Sequence, residues 1–390
     1  MSEWKEYRLG ELGTVITGKT PSSKNPEDWG NEMLFITPSD YHSYGKFATD
    51  SNRKLSSLGI NRLKTKVLPP YSILVTCIGS DMGKVVMNKV PCISNQQINA
   101  IIPFNTTNGD FLYYKIISIY ETLRVYGGDG TAVPIVNKGD FEDIVVSMPP
   151  FEEQKRIAGV LSSLDDKIDL LNRENATLEA LAEALFRHYF IENPNPDWKE
   201  GELGSYIKTT SGGTPSRKMS KYYTAGTIDW VKSKELEGSF IFKTEERITK
   251  EAVLNSSAKL LPTNSVLIAI YGATVGEYGI LSCPMTCNQA ICALLPNDNY
   301  PYSYLIGWTI CKKEDLINLA TGAAQQNISQ DLIKQQTICT DFELIKTYDN
   351  HVKPLFEKVK SNQQQILSLS AQRDTMLPRL MFGEVKVTGQ

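Results

Sequence analysis

The sequence contains little that would support catalysis. Only three of its 390 residues are histidine (His42, His188 and His351), and it has neither a Gly-x-x-x-x-Gly-Lys-Ser/Thr phosphate loop nor a Gly-x-Ser-x-Gly nucleophile turn. No apolar run approaches the roughly 18 residues that would span a bilayer. Residues 1–6 have neither the basic start nor the apolar core of a signal peptide. We therefore predict a cytoplasmic protein that is not an enzyme and does not enter a membrane.

Cysteine is present without the spacing of a disulfide or metal framework. The seven cysteines are an odd number, which favours a reducing compartment over a secreted scaffold. Cys283, Cys287 and Cys292 lie close together, but their spacing does not fit a zinc knuckle and no histidine is near them. We predict that this stretch is a buried strand and that the chain holds no metal.

Two short motifs resemble cofactor sites but lack a required feature. The Gly-Gly-Asp-Gly segment at 127–130 does not connect a strand to a helix as a dinucleotide-binding turn does, so we predict a loop. Met148-Pro149-Pro150-Phe151 resembles the Asp/Asn/Ser-Pro-Pro-aromatic tetrad with which amino-methyltransferases hold a target amine. Because Met148 lacks the polar side chain, we predict the rigid start of a helix and no cofactor in this chain.

Sequence motifs recur at an offset of 193 or 194 residues. The matching pairs are Trp4-Lys5-Glu6 and Trp198-Lys199-Glu200, the Gly-x-Thr-Pro-Ser turns at 18–22 and 212–216, Leu68-Pro69 and Leu261-Pro262, and Asn95-Gln96 and Asn288-Gln289. An offset this constant indicates a duplication. Each copy has short β-rich runs that end in glycine turns, followed by a helix near 111–120 or 302–311. We predict a mixed α/β domain that is present twice.

A long seam of apolar residues at alternating steps of four and three follows the first copy. It runs through Ile157, Leu161, Leu164, Ile168, Leu171, Leu178, Ala182, Leu185 and Tyr189 and has one polar member, Asn175. This is the pattern of a coiled-coil helix. A second such seam follows the second copy and runs through Tyr348, Val352, Leu355, Val359, Asn362, Ile366, Leu369, Arg373, Met376 and Leu380. The two helices are therefore predicted partners.

The two asparagines indicate how the helices pair. In a parallel pair Asn175 would face Ile366, whereas in an antiparallel pair whose layers sum to 537 it faces Asn362. A buried Asn pair costs stability but fixes the register. We expect Arg373, opposite Leu164, to extend toward solvent. Pro354 is expected to start or kink the second helix, and Pro378 to end it.

The predicted fold class is α+β. Two similar mixed α/β domains are joined by two long helices that form an intramolecular antiparallel coiled coil with pseudo-two-fold symmetry. The predicted boundaries are 1–150 for the first domain, 151–197 for the first helix, 198–341 for the second domain, and 342–390 for the second helix and tail. The alternative is that the helices pack a core or form a homodimer.

Polar loops in both domains have the composition of a nucleic-acid interface. Lys, Arg, Ser, Thr and Asn side chains bind phosphates and base edges, although solvated loops have the same composition. The net charge of −3 does not by itself indicate a nucleic-acid partner. The candidate DNA-binding residues are Thr20, Ser22, Lys24, Lys84, Thr214, Ser216, Arg217, Lys218, Lys232, Lys234 and Thr274.

The chain resembles the specificity subunits of type I restriction–modification systems. The resemblance rests on the paired Gly-x-Thr-Pro-Ser turns, on Pro149-Pro150-Phe151-x-x-Gln154 at the start of the first helix, and on Leu185-Phe186 with Phe190 at its end. It also rests on the C-terminal Met-Leu-Pro-Arg-Leu-Met-Phe-Gly-Glu at 376–384. With the duplication, the resemblance covers almost the whole chain.

The resemblance implies a subunit for phage defence that recognises DNA and does no chemistry itself. Residues 1–150 and 198–341 would be target-recognition domains, each reading half of a bipartite double-stranded DNA site, and the coiled coil would set the spacer. Two methyltransferase (modification) subunits would bring S-adenosylmethionine, and two optional restriction (helicase–nuclease) subunits would use ATP and Mg. The acidic segment 151–197 is a candidate docking surface or a solvated face. The alternative function is a coiled-coil scaffold without DNA specificity.

Overall fold

The computed structural model describes residues 4–128, 134–192, 199–321 and 327–387. The chain divides into two compact units, of which one comprises Met1–Leu170 with Leu367–Gln390 and the other Leu171–Ile366. Each unit contains one mixed α/β domain and part of both long helices. The units are described separately below.

The first domain contains a five-stranded, a four-stranded and a two-stranded sheet. Its strands are β1 (Lys5–Arg8), β2 (Gly13–Thr17), β3 (Trp29–Gly30), β4 (Met33–Ile36), β5 (Phe47–Ala48), β6 (Arg53–Leu55), β7 (Ile73–Thr76), β8 (Val85–Asn88), β9 (Cys92–Ser94), β10 (Ile98–Pro103) and β11 (Val145–Met148). Its helices are α1 (Leu9–Leu12), α2 (Ser57–Arg62), α3 (Gly109–Ser118), α4 (Tyr120–Tyr126) and α5 (Lys138–Asp143). The sheets have the orders β2-β10-β7-β8-β5, β3-β6-β4-β9 and β1-β11.

The helix α6 (Phe151–Arg187) follows, ends in a π-helical turn at His188–Glu192, and leads to the second domain. The strands of that domain are β12 (Glu200–Glu202), β13 (Lys208–Ser211), β14 (Ile228–Val231), β15 (Phe240–Ile241), β16 (Arg247–Ile248), β17 (Val266–Ala269), β18 (Tyr278–Leu281), β19 (Thr286–Cys287), β20 (Ile291–Leu295) and β21 (Thr337–Cys339). Its helices are α7 (Leu203–Tyr206), α8 (Lys250–Leu254), α9 (Tyr302–Thr321) and α10 (Gln330–Lys334), and α11 (Phe342–Met381) completes the fold. The sheets have the orders β13-β20-β17-β18-β15, β16-β14-β19 and β12-β21.

The two domains have the same topology. The parallel pairs recur, because β5 runs parallel to β8 as β15 does to β18, and β4 runs parallel to β9 as β14 does to β19. The central strands β7 and β17 are buried along their whole length, as expected for runs of Ile, Leu, Val and Ala. The predicted α+β fold with two similar domains and two long helices is confirmed. The first domain has one further short strand, β3, at the edge of its smaller sheet.

The strands that begin and end each domain pair with each other and thereby position the long helices. β1 pairs antiparallel with β11, directly before α6, and β12 pairs antiparallel with β21, directly before α11. Gln154 then fixes the start of α6. Its Nε2 donates to the carbonyl of Pro149 at 2.9 Å, and its Oε1 accepts from the backbone N–H of Asn108 at 2.9 Å. The Pro-Pro-Phe-x-x-Gln motif therefore connects the helix start to α3, which Asn108 caps.

The predicted seam is present on both long helices. Every apolar member of it in α6 and α11 is buried or half-buried. In the second unit, Asn362 Nδ2 donates to Asn175 Oδ1 at 2.9 Å, and Tyr189 contacts His351. In these contacts the residue numbers of α11 decrease as those of α6 increase, so the two helices run antiparallel. In the first unit Asp165 faces Arg373, and Ile157 and Leu380 are buried in the same core cluster.

Contrary to expectation, Pro354 does not start the second helix and Pro378 does not end it. The helix α11 runs unbroken from Phe342 to Met381 and includes both Pro354 and Pro378. The side chains around Pro354 are anchored by packing, since Val352, Phe356 and Val359 are at most 4 % exposed in the core of the second domain. The helix ends instead at Met381, shortly before Gly383, whose φ of +71° is the left-handed conformation that glycine favours. α9 is also longer than the predicted 302–311.

Candidate nucleic-acid interface

The first Gly-x-Thr-Pro-Ser turn lies against the turn between β9 and β10. The backbone N–H of Lys19 donates to Ser94 at 2.8 Å, and Thr20 Oγ1 donates to Gln96 Oε1 at 2.7 Å. A Cβ on Gly18 would lie 2.2 Å from the carbonyl oxygen of Asn95. Only glycine therefore permits this approach.

The second turn makes the same contacts. The N–H of Gly213 donates to Cys287 at 2.9 Å, and Thr214 Oγ1 donates to Gln289 Oε1. A Cβ on Gly212 would lie 2.1 Å from the carbonyl oxygen of Cys287. The threonine–glutamine contact and the close glycine approach are thus repeated in both domains. They give the motif a structural role that composition alone did not suggest, and the part of Thr20 and Thr214 in DNA binding stays a prediction.

Of the other candidates in the first domain, Ser22 and Lys24 are exposed and Lys84 is half-buried, and they differ in what they contact. Ser22 Oγ accepts from the backbone N–H of Lys24 at 3.3 Å, which holds the turn. Lys24 itself is exposed and forms no ion pair within the described residues. Lys84 pairs with Asp81 at 2.6 Å beside the glycine turn. No hydrogen bond or ion pair in the described part of the chain joins Lys24 to Lys84.

Three predicted basic residues of the second domain meet at one acidic turn. Arg217 Nη1 lies 2.6 Å from Glu246, Lys232 Nζ lies 2.6 Å from Glu246, and Lys234 Nζ lies 2.7 Å from Glu245. The Arg217 guanidinium also lies over the rings of Tyr223 and Trp230, 4.3 and 5.2 Å from their centroids. Hydrogen bonds from Arg217 and Lys232 lower the pKa of Glu246 to about 2. Each of these three cationic side chains therefore forms an ion pair with a glutamate of the same domain.

The remaining candidates of the second domain lie outside this cluster. Ser216 and Lys218 are exposed beside Arg217, and Lys218 forms no ion pair among the residues that the structure describes. Thr274 lies in the turn Gly272–Thr274 and donates to the carbonyl of Tyr271 at 3.3 Å. None of these contacts identifies a base or phosphate partner, so the role of these residues in DNA binding stays a prediction.

Sequence reasoning missed a polar cleft in the first domain. It is lined by Trp29, Gly30, Asn31, Ser51, Asn52, Arg53 and Lys54. The Arg53 guanidinium carbon lies 3.3 Å from the centroid of the Trp29 ring. The two segments are more than twenty residues apart in sequence, and only the β3–β6 pairing brings them together. No local signal connects them.

The asparagine layer of the coiled coil is buried and fully packed. Asn175 is 6 % exposed and Asn362 is 1 % exposed. Besides its bond to Asn175, Asn362 Nδ2 donates to Glu174 Oε2 at 2.9 Å, and Glu174 also pairs with Lys358 at 3.5 Å. A shift of register would replace these partners with apolar side chains, which is the basis for the predicted role of both asparagines in register.

The described residues contain neither a group of three or more His, Cys, Asp or Glu side chains arranged to hold a metal nor a helix long and apolar enough to cross a membrane. Cys287 and Cys292, two members of the cysteine group, are buried in core clusters of the second domain. Burial raises the pKa of each thiol to about 12. The Gly-Gly-Asp-Gly segment falls partly outside the described residues.

The fold defines a class of protein that has two similar mixed α/β domains and an antiparallel pair of long helices. A family model described as "type I restriction modification DNA specificity domain" matches residues 1–180 and again residues 195–340. The chain belongs to this family. The two matched segments correspond to the two copies of the domain, and the match favours DNA specificity over the alternative of a scaffold.

Individual relatives agree with the family match. The chain is 27 % identical to the type I restriction enzyme MjaIX specificity subunit of Methanocaldococcus jannaschii, over 99 % of this chain and 94 % of that protein. It is 36 % identical to the HindI specificity subunit of Haemophilus influenzae over 38 % of this chain and 32 % of that protein. The crystal structure of the type I S subunit from M. genitalium matches 99 % of this chain and 97 % of that one, with a TM-score of 0.64 and 14 % identity. This last match shows a shared fold.

Proposed function

We propose that this chain is the DNA-sequence specificity subunit of a type I restriction–modification complex. Each domain reads one half of a bipartite, asymmetric site in double-stranded DNA, and the chain itself catalyses no reaction. The observation that carries the proposal is the repeated family match, because each matched segment contains one complete copy of the same sheet topology. Two readers in one chain imply two half-sites.

The half-sites should differ from each other. The domains share their topology and their structural glycine turns, but equivalent turns carry Ser51-Asn52-Arg53 in one domain and Thr244-Glu245-Glu246 in the other. Amide, guanidinium and carboxylate groups select different base edges. A shared scaffold with different polar groups supports an asymmetric site.

The helix pair is suited to set the spacer between the half-sites. α6 has 37 residues and α11 has 40, so each is about 55–60 Å long at a rise of 1.5 Å per residue. Each unit contains one polar contact between the two helices, Asp165–Arg373 in the first and Asn175–Asn362 in the second. Because a slip would separate both polar pairs, the register, and with it the spacer, is held constant.

The catalytic chemistry belongs to partner subunits in this proposal. Two methyltransferase subunits dock on the helix pair and bring S-adenosylmethionine, and two optional restriction subunits bring ATP and Mg. The acidic surface of 151–197 is the proposed docking surface for the methyltransferase subunits. The assembled complex acts in the cytoplasm.

The proposal is tested by co-expressing the full chain with its methyltransferase subunit and mapping methylated adenines across a genome. We expect a two-part motif with an unspecified spacer. Expression of either subunit alone should give no methylation. A contiguous motif, or methylation without this chain, would contradict the proposal.

A second experiment tests the spacer function. One heptad is inserted into each helix, between Ile168 and Leu171 in α6 and between Ile366 and Leu369 in α11. The spacer should lengthen while both half-sites stay the same, because the heptads extend the seam without changing either domain. The matched control inserts the heptad into α6 alone, which mispairs the seam and should abolish methylation. Altered half-sites with the original spacer would contradict the spacer function.

A further inference from the structure

The cleft between β3 and β6 of the first domain has the features of a built recognition site. Its volume is about 300 Å³, and it opens at the edge of the smaller sheet. Its wall is tied to the core, since Trp29 packs edge-on against Phe35 with 5.0 Å between ring centroids, and Phe35 is only 1 % exposed. The cleft therefore stands on a rigid base.

The Arg53 side chain in this cleft is oriented but unpaired. Its guanidinium carbon lies 3.3 Å from the Trp29 ring centroid, and the side chain forms no ion pair among the described residues. Stacking on an indole fixes the plane of a guanidinium and leaves the N–H donors at its edge available. An arginine held in this way can offer two parallel donors.

The two asparagines of the cleft also have unused hydrogen-bonding groups. Asn31 and Asn52 are exposed, and neither side-chain amide forms a hydrogen bond in the described part of the chain. The backbone beneath them is nevertheless fixed. The N–H of Asn52 donates to Asp40 Oδ1 at 2.9 Å, and Ser51 Oγ donates to the carbonyl of Arg53 at 2.6 Å. Free amides on a fixed turn are pre-organised for a partner.

The second domain shows that these free groups are not a requirement of the fold. Its equivalent turn carries Glu245 and Glu246, which pair with Lys232, Lys234 and Arg217. The counterpart of Arg53 is Glu246, since Ser51 Oγ donates to the carbonyl of Arg53 as Thr244 Oγ1 donates to the carbonyl of Glu246. The side chains of this turn therefore form ion pairs in the second domain, whereas those of Asn52 and Arg53 in the first domain form no ion pair or hydrogen bond among the described residues.

We propose that the Trp29–Arg53 cleft reads purine edges in the half-site of the first domain. Arg53 donates to O6 and N7 of a guanine, and the amides of Asn31 and Asn52 bind N6 and N7 of adenine, the pairings that the geometry of these groups favours. These three residues then determine the sequence of that half-site. The inference rests on the proposed function and adds residues to it.

The test compares the methylation motif of the wild-type complex with those of Asn52→Ala, Asn31→Ala and Arg53→Lys. Each variant should relax one or more positions of a single half-site, with an expected loss of discrimination of about 5- to 150-fold for a bidentate contact. The other half-site and the spacer should stay the same. Arg53→Lys keeps the charge but removes the fork, so it separates base reading from general attraction to phosphate.

Asn105→Ala is the matched control. It removes the same amide from an exposed turn of the first domain outside the cleft, and the motif should not change. Co-purification with the methyltransferase subunit and an unchanged melting temperature establish that each variant folds. Because Asn31 and Asn52 are both exposed, their variants test the cleft independently of each other.

Three outcomes would overturn the inference. An unchanged motif in all three variants would show that the cleft reads no base, and slower methylation at an unchanged motif would identify phosphate contacts instead. Relaxation of both half-sites would show that the effect does not come from base recognition by the first domain. If the wild-type complex gave no two-part motif, the proposed function itself would fail, which is distinct from these outcomes.

Discussion

The two domains hold the helix pair with different chemistry. In the first unit, Lys46 Nζ lies 2.6 Å from Asp110 and donates to Ser162 of α6 at 2.9 Å. Tyr114 OH donates to Asp165 at 2.5 Å, and Asp165 also accepts from Arg373 of α11 at 2.8 Å. The first domain thus contacts its helices through charged and hydroxyl groups, in addition to the apolar cluster that contains Ile157, Leu161 and Leu380.

The second domain makes its contacts through aromatic rings. The ring of Phe186 in α6 lies 5.5 Å from Tyr304 and 5.6 Å from Tyr348, and the ring of Phe190 lies 5.2 Å from each of them. Gly307 makes room for this cluster, because a Cβ there would lie 2.3 Å from the Phe186 ring. Polar contacts accompany this cluster, since Tyr302 OH donates to Glu357 at 2.7 Å and Ser303 Oγ donates to Asp349, both in α11.

The comparison shows that the duplication preserved topology more strictly than contact chemistry. The strand order of the five-stranded sheet and the parallel pairs are the same in both domains. Asp165, however, corresponds to Phe356 at the offset of 191 residues that relates the two helix starts. A sheet requires only the correct alternation of buried residues. A contact between a domain and a helix can instead change from one chemistry to another, provided that both contacting residues are replaced together. The following substitutions test this difference, from the largest expected effect to the smallest.

Phe186→Ala should have the largest effect. Truncating a buried aromatic leaves a cavity, and we expect a loss of about 3–5 kcal/mol in the free energy of unfolding of the second unit. Hydrogen-exchange mass spectrometry reads peptides from each unit separately and should show the loss in the second. Leu181→Ala on the same helix is the control, because Leu181 is exposed and should change stability little. Equal losses in both units would contradict the assignment.

Arg373→Leu should destabilise the first unit by about 2–3 kcal/mol. The change leaves the carboxylate of Asp165, which is 8 % exposed, with Tyr114 as its remaining partner. Adding Asp165→Leu should recover part of the loss, since two apolar groups can replace a buried ion pair. Urea unfolding measures both variants, with Arg156→Leu at an exposed site as the control. If the double variant is less stable than Arg373→Leu alone, the ion-pair explanation fails.

Asn175→Leu combined with Asn362→Leu should raise the free energy of unfolding by about 1–2 kcal/mol, because a polar layer inside an apolar seam costs stability. The register or the oligomeric state should become less uniform. Thermal melting and light scattering measure the two effects. Asn172→Leu, at an exposed position of the same helix, should have neither. A double variant that melts below the wild type would contradict the expected cost of this layer.

Glu246→Gln should have the smallest effect, and it should depend on pH. The ion pairs hold the pKa of Glu246 at about 2, below its ordinary value of 4.5. Their stabilisation is therefore complete above about pH 4.5 and is lost as the pH falls toward 2. For partly exposed pairs we expect about 1 kcal/mol at pH 6. Melting curves of the variant and wild type should converge at low pH, and Glu237→Gln, at an exposed position of the same domain, is the control.

The long helices illustrate how much of the fold could be predicted from the sequence. Heptad spacing and the single asparagine in each seam predicted the antiparallel Asn175–Asn362 layer, because both are local patterns with one consistent pairing. Local sequence was misleading about the ends of the second helix, which neither begins at Pro354 nor ends at Pro378. A proline lowers the local stability of a helix by an amount that packing can offset, and the neighbours that pack around it come from the second domain.

The candidate interface was harder to predict for the same physical reason. Composition identified Arg217, Lys232 and Lys234 as donors, but not the glutamates between them. It also did not connect Trp29 with Arg53, whose contact depends on the pairing of two strands. The availability of a polar group depends on its neighbours in space, which loop composition does not specify.

The sequence by itself determined the duplication, the seam and the antiparallel direction of the helices, since these follow from periodicity and offset along one chain. Tertiary structure alone decided which polar groups are paired and which remain unpaired, and which ionic and aromatic contacts each domain makes with its helices. Hydrogen bonds and ion pairs act over a few ångströms between residues far apart in sequence. For this reason the Asn31–Asn52–Arg53 cleft becomes visible only in the folded chain.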